Sequence, residues 1–126
     1  MHRSRLAGFI IDCNTDDLEK AAEFWSAALG YELTPIEQEG SPKYRQFKTG
    51  PDGLHIEVQQ VEHASRLHLD IETDDIEAEV QRLEALGAKR VTQFPRWWVM
   101  EAPTGQRFCV VRPQRSDFAK RANAWK

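Results

Sequence analysis

Two stretches of the chain open with a short apolar run and continue into an apolar stripe at helical spacing. Phe9-Ile10-Ile11 and Leu67-His68-Leu69-Asp70-Ile71 read as strands. The second alternates apolar with polar, as a strand with one face on a core does. Leu18, Ala21, Ala22, Trp25 and Leu29 then share one face of a predicted helix, as do Ile76, Val80, Leu83 and Leu86. Thr15-Asp16 and Thr73-Asp74 offer oxygens to cap these helices, with Glu19 and Glu77 three residues beyond the aspartates. Gly30 and Gly87 stand just past the stripes, where a left-handed residue closes a helix. Three strands are predicted after each helix: 31–34, 44–49 and 54–60 in the first half, 88–92, 97–101 and 107–112 in the second. A Pro-X-Gly turn separates the last two of each set. Each half thus predicts β-α-β-β-β.

The halves also match residue by residue. Asp12, Thr15, Asp16, Asp17 and Glu19 recur as Asp70, Thr73, Asp74, Asp75 and Glu77, at a spacing of 58. Ala28-Leu29-Gly30 recurs as Ala85-Leu86-Gly87 at 57, and Pro51-Asp52-Gly53 as Pro103-Thr104-Gly105 at 52. Three blocks in one order point to an internal duplication. Helix capping accounts for Asp16 and Asp74 without catalysis, and its place on the helical stripe assigns Trp25 to the core.

Composition narrows the picture. A chain of 126 residues is long enough for one core and too short for two independent ones. Its 40% hydrophobic and 29% charged residues are those of a folded globular chain. No apolar run is long enough to span a bilayer, and the run after Met1-His2-Arg3-Ser4-Arg5 is too short for a signal peptide, so the cytoplasm is the expected location. Cys13 and Cys109 lie in apolar strand contexts and are expected as reduced core thiols. A net charge of −3 argues against a nucleic-acid partner. From Arg112 onward the balance reverses, with five Lys/Arg against one Asp. In this basic tail, 114–126, Ser116 would cap a short helix carrying Phe118, Arg121, Ala122 and Trp125. The tail is expected either to pack on its own domain or to contact a partner.

Three segments carry a family resemblance. They are Ile11-Asp12-Cys13 ahead of Asp17-Leu18-Glu19-Lys20-Ala21-Ala22-Glu23-Phe24-Trp25, then Arg66-Leu67-His68-Leu69-Asp70-Ile71, then Trp98-Val99-Met100-Glu101 continuing to Val111. On these residues the chain resembles the vicinal-oxygen-chelate superfamily, which groups glyoxalase I, extradiol dioxygenases and bleomycin-resistance proteins, and within it the glyoxalase-like branch. The resemblance implies an α+β domain over 1–113, built of two tandem βαβββ modules (about 6–61 and 64–113) whose curved mixed sheets enclose a cleft. It implies a homodimer as well. It places the family's metal-ligand positions at Ile10, Glu57, His68 and Cys109. Ile10 offers no ligand, and Cys109 stands where metal-dependent members carry a glutamate. A catalytic divalent site needs three suitable protein ligands and an open position. A metal-free site is therefore expected, with Glu57, His68 and Cys109 as the ligand set should a divalent metal bind.

Strand alternation then sorts the side chains. If His68 faces the cleft, so do Arg66 and Asp70, with Asp12 on the first strand, His55, Glu57 and Gln59 on the fourth, and Arg107, Cys109 and Val111 on the last. Phe9, Ile11, Leu54, Ile56, Val58, Leu67, Leu69, Ile71, Phe108 and Val110 would face the helices. Asp12, Gln59, Arg66, Asp70, Trp98 and Arg107 are the candidate ligand-binding residues, and adjacent Trp97 and Trp98 must point opposite ways. Besides a non-catalytic partner domain that makes contact through the basic tail, two functions are weighed. One is binding of a small organic molecule in the cleft without a catalytic metal. The other is a lyase or isomerase activity of the glyoxalase kind, with Glu57 as base, His68 polarising a carbonyl, and a metal as an optional aid.

Overall fold

The computed structural model of the protein describes residues 1–36 and 43–126. Among these residues, eight strands and three helices follow in the order β1 (His2–Asn14), α1 (Leu18–Leu29), β2 (Tyr44–Gln46), β3 (His55–Val61), β4 (Arg66–Thr73), α2 (Ile76–Ala85), β5 (Lys89–Gln93), β6 (Trp97–Glu101), β7 (Arg107–Val111), α3 (Phe118–Arg121) and β8 (Asn123–Trp125). The class is mixed α+β, and the chain divides into two compact units. One comprises Phe9–Leu67; the other comprises Met1–Gly8 with His68–Lys126. The long first strand contributes to both.

In the unit Phe9–Leu67 the strand order is β2-β3-β1. Antiparallel register sets Tyr44 against Gln59, Arg45 against Val58 and Gln46 against Glu57. Ile11, Cys13, Ile56 and Val58 pack with Leu18 and Ala22 of α1, and Phe9, Trp25 and Leu54 close round them. These are the residues that alternation sends toward the helix. The segment 31–34 does not form the predicted strand. It makes an isolated bridge, Leu33 to Phe47, through the backbone bonds of Thr34 to Gln46 and Lys48 to Glu32, and Leu33 packs on the core cluster. The predicted strand 44–49 is shorter, ending at Gln46 with Phe47 in that bridge.

In the other unit the order is β1-β4-β7-β6-β5, with β8 pairing β1. β4 and β7 run parallel, whereas β5, β6 and β7 form an antiparallel meander. Val80 and Leu83 of α2 pack on Met100 and Val110, with Ile71, Trp98 and Phe108 against them. Leu67 and Leu69 were expected under the helices too, but they are 61% and 53% exposed. The apolar stripe of α2 extends over Ile71 and not beyond it.

Both helix starts use the aspartate one residue later than expected. Asp17 accepts from the Lys20 amide and Asp75 from the Ala78 amide, while the Thr15 and Thr73 hydroxyls accept the amides of those aspartates. The choice leaves Asp74 to accept the Arg3 amide. Glu19 and Glu77 do not complete a capping box. They bind Arg45 and Arg90 instead. Gly30 closes α1 with φ +78°, a left-handed cap as predicted. α2 ends on Leu86 in a right-handed conformation, and the positive φ falls on Gly87.

The C-terminal segment is folded onto its unit by buried ions. Glu72 is fully buried and accepts from Arg5, from Arg115, and from the backbone amides of Gln114 and Arg115. Arg5 also donates to Asp117. Phe118 and Ala122 are buried, and β8 pairs residue by residue with His2, Arg3 and Ser4. Buried Glu79 on α2 gathers His2, Ser4 and two guanidinium nitrogens of Arg82, whose cation lies 4.0 Å from the Trp125 ring centroid. Among the described residues, no helix is long and apolar enough to cross a membrane.

Candidate functional site

The register of β4 on β7 builds the most distinctive polar cluster. Parallel pairing places Asp70 beside Cys109, and the two-residue period of β4 brings His68 to the same face. His68 Nε2 lies 3.4 Å from Asp70 Oδ1. One ligand atom from each of His68, Asp70 and Cys109 lies within 4.8 Å of the others. Asp70 is only 8% exposed, and its Oδ1 has no hydrogen-bond partner. A buried carboxylate oxygen left in this state is costly, so it marks a position suited to a proton donor or a cation.

The cluster corrects the reading of Cys109 as a core thiol. Phe108 and Val110 take the helix side, so Cys109 must turn away from that core, and its side chain is only partly buried. Cys13 is the core thiol. Burial, reinforced by the Asp12 carboxylate, raises its pKa above the ordinary thiol value. Both cysteines are free.

Antiparallel pairing of β6 with β7 extends the same face through Trp97, Val99 and Glu101, opposite Val111, Cys109 and Arg107. Arg107 Nε is 3.3 Å from Glu101 at the rim. Trp98, a candidate for the binding face, packs with the helix-side cluster under the Arg90 guanidinium. Trp97 therefore shares the face of Cys109, and it stacks on Phe94 with centroids 4.6 Å apart. The rule that neighbouring tryptophans alternate was readable in the sequence; which of them turned inward was set by the register.

In the unit Phe9–Leu67 the candidates are held differently. Glu57 accepts from His55 Nε2 at 2.7 Å, and His55 Nδ1 lies 3.2 Å from Gln46 Nε2. Arg66 Nε is 3.9 Å from a carboxylate oxygen of Asp12, which is 3% exposed. Gln59 lies opposite Tyr44 on the face of Glu57. A separate surface depression of about 460 Å³ is lined by Asn14, Thr15, Asp16, Lys43, Gln60, Val61 and Glu62, and it includes none of the candidate residues.

Residues 8–111 match the glyoxalase-like domain family. The chain belongs to that family. A search of the curated proteins finds no match to it. Among solved structures, the Mn(II)-bound glyoxalase from Novosphingobium aromaticivorans is similar at a TM-score of 0.59 and 20% identity, over 89% of this chain and 40% of that one. Methylmalonyl-CoA epimerase from Mycobacterium tuberculosis is similar at 0.58 and 18%, over 90% and 91% of the two chains. A glyoxalase/bleomycin resistance/dioxygenase superfamily member from Vibrio splendidus 12B01 is similar at 0.54 and 15%, over 90% and 100%. At such identities the likeness establishes the fold of this glyoxalase-like domain and leaves its chemistry to its own residues.

A manganese-bound neighbour raises the question of whether a metal fits here. The family's four positions fit poorly, since Ile10 offers no ligand and Glu57 is engaged by His55. His68, Asp70 and Cys109 are the group that converges: three possible donors of different types lie within 4.8 Å of one another, with Asp70 in addition to the expected His68 and Cys109.

Proposed function

We propose that this glyoxalase-like domain binds a small organic molecule against the sheet face carrying His68, Asp70 and Cys109. The largely buried Asp70 carboxylate supports the reading best, because its Oδ1 faces His68 Nε2 at 3.4 Å without forming a hydrogen bond. A ligand donor would complete that contact. Trp97 and Val99 border the same face and would meet the apolar part of a ligand. His68 would recognise a hydroxyl or carbonyl oxygen, and Arg107 at the rim would favour an acidic substituent. Native mass spectrometry of the purified full chain tests this. An organic adduct is expected on the unaltered protein and absent from folded His68→Ala. An adduct that survives His68→Ala places binding elsewhere.

A second reading is proton transfer of the lyase or isomerase kind, and the 2.7 Å contact of His55 with Glu57 favours it. A histidine against a carboxylate can orient it as a base. The likeness to methylmalonyl-CoA epimerase suggests a carbon acid next to a carbonyl as the substrate class. Solvent deuterium exchange into candidate carbon acids, abolished by Glu57→Gln, would support it. Exchange that is equal in the two proteins would dismiss Glu57 as the base.

A further inference from the structure

We propose, building on the organic-ligand reading, that the molecule held on this sheet face is an elongated organic acid with an aromatic end. Its carboxylate lies at Arg107 and its ring against Trp97. Register fixes where these two ends stand. Arg107 pairs with Glu101 and Trp97 with Val111, so both side chains occupy one face at opposite ends of the β6–β7 pairing. The strand from Glu101 back to Trp97 separates them by about 13 Å.

At the Arg107 end the face is open, and the Arg107 side chain is 39% exposed. Its Nε donates to Glu101 at 3.3 Å, while its two terminal nitrogens have no acceptor among the described residues. Such a guanidinium fork receives a carboxylate through paired N–H bonds. One cation beside one protein carboxylate suits a ligand with a single negative charge, whereas a phosphate monoester would bring nearly two. The other end is closed. Val111 pairs with Glu72, which is fully buried beneath the backbone amides of Gln114 and Arg115. The two-residue period of β4 puts Glu72 on the face of His68 and Asp70, so the segment after β7 covers the face here. At this end Trp97 is half-buried, and Phe94 stacks on it with 14° between the ring planes. The Phe94 amide donates to the Trp97 carbonyl at 2.9 Å, which ties the stack to its turn. A ring held in this way takes an aromatic partner with little ordering of its own. The acid therefore lies ring inward, with its charge at the open end, where least hydration is lost.

Calorimetric titration of the full chain with three probes tests the assignment: ω-phenylhexanoate, hexanoate without the ring, and ω-phenylhexanol without the charge. The phenyl acid should bind about 10-fold more tightly than either of the others. Arg107→Gln should bring the phenyl acid and the phenyl alcohol to equal affinity while keeping the advantage of the ring. Trp97→Leu should remove the advantage of the ring and keep that of the charge. Circular dichroism checks the fold of each variant, and Phe94→Ala carries the ring arm if Trp97→Leu fails to fold. Absence of ω-phenylhexanoate binding, equal affinity for all three probes, or affinity ratios unchanged in these variants would each overturn the acid. The organic-ligand reading fails separately, when the adduct seen by native mass spectrometry survives His68→Ala.

Discussion

The two compact units begin alike and differ in what they do with buried charge. Each opens with a strand, a Thr-Asp-Asp turn and a helix capped by the second aspartate. In the unit Phe9–Leu67, the sheet-face carboxylates meet nearby cations or imidazoles: Glu57 has His55, and Asp12 has Arg66. In the other unit, Glu72 and Glu79 lie fully buried and are saturated by several donors each, whereas Asp70 has the 3.4 Å contact of His68 and an Oδ1 that makes no hydrogen bond. Saturation identifies Glu72 and Glu79 as structural groups, even though they are the more deeply buried. An incomplete shell distinguishes Asp70 as the candidate for binding. Burial alone would have ranked them the other way.

The sharpest way to break this comparison is to remove one partnered carboxylate from each unit. Glu72→Ala leaves Arg115 and two backbone amides without their acceptor, inside a unit whose C-terminal segment depends on them. Loss of one partner from such a buried ionic set costs about 3–5 kcal/mol. Glu57→Gln, at a side chain 21% exposed with one imidazole partner, should cost about 1 kcal/mol. Urea denaturation of both variants reads the difference, and equal losses would mean that Glu72 does not anchor the segment 114–126.

A smaller effect separates the units by pH. Burial pushes the Glu79 carboxyl up, but hydrogen bonds from Arg82, His2 and Ser4 together with the Arg82 charge outweigh it, and the pKa ends below its ordinary 4.5. A lowered carboxylate pKa contributes stability that is present above 4.5 and is lost as pH falls through the folded value. Cys13 has the opposite sign. Its thiol pKa is raised from 9.0 by burial and the Asp12 charge, so its contribution is present below 9.0 and is lost as pH rises through the folded value. Glu79→Gln should flatten the acid limb of a stability–pH curve and leave the alkaline limb unchanged. Cys13→Ala should do the reverse. Either variant flattening both limbs would show that the units do not titrate independently.

Much of this division was legible in the order of residue types. Alternation on Phe9–Ile11 and 54–58 sorted core from polar face, and repetition of Asp12 as Asp70 paired the two faces before any register was known. What remained hidden depends on long-range partners. The composition of 114–126 leaves open whether it packs on its own domain or contacts a partner, and it is Glu72 and Arg5, distant in sequence, that hold it down. The exposure of Leu67 and Leu69 depends on how far α2 reaches, which periodicity does not specify. Asp70 was readable as a neighbour of His68. Its convergence with Cys109 required the parallel β4–β7 pairing.

The smallest expected difference lies at two matched surface positions, Glu19 and Glu77, each bound to an arginine from a neighbouring strand segment. Arg45 is 10% exposed, and besides Glu19 it donates to the carbonyl of Thr34. Arg90 is 30% exposed, and its second carboxylate partner is Glu84. Removing the Glu19 charge strands a nearly buried guanidinium, whereas removing that of Glu77 leaves a hydrated one with another anion at hand. Glu19→Gln should therefore destabilise by about 1 kcal/mol, and Glu77→Gln by less. The Glu77 effect should also shrink as salt is raised, because exposed pairs are screened while partly buried ones are protected. Thermal denaturation at low and high salt distinguishes the two. Identical salt dependence would show that sequence correspondence, and not local burial, governs these pairs.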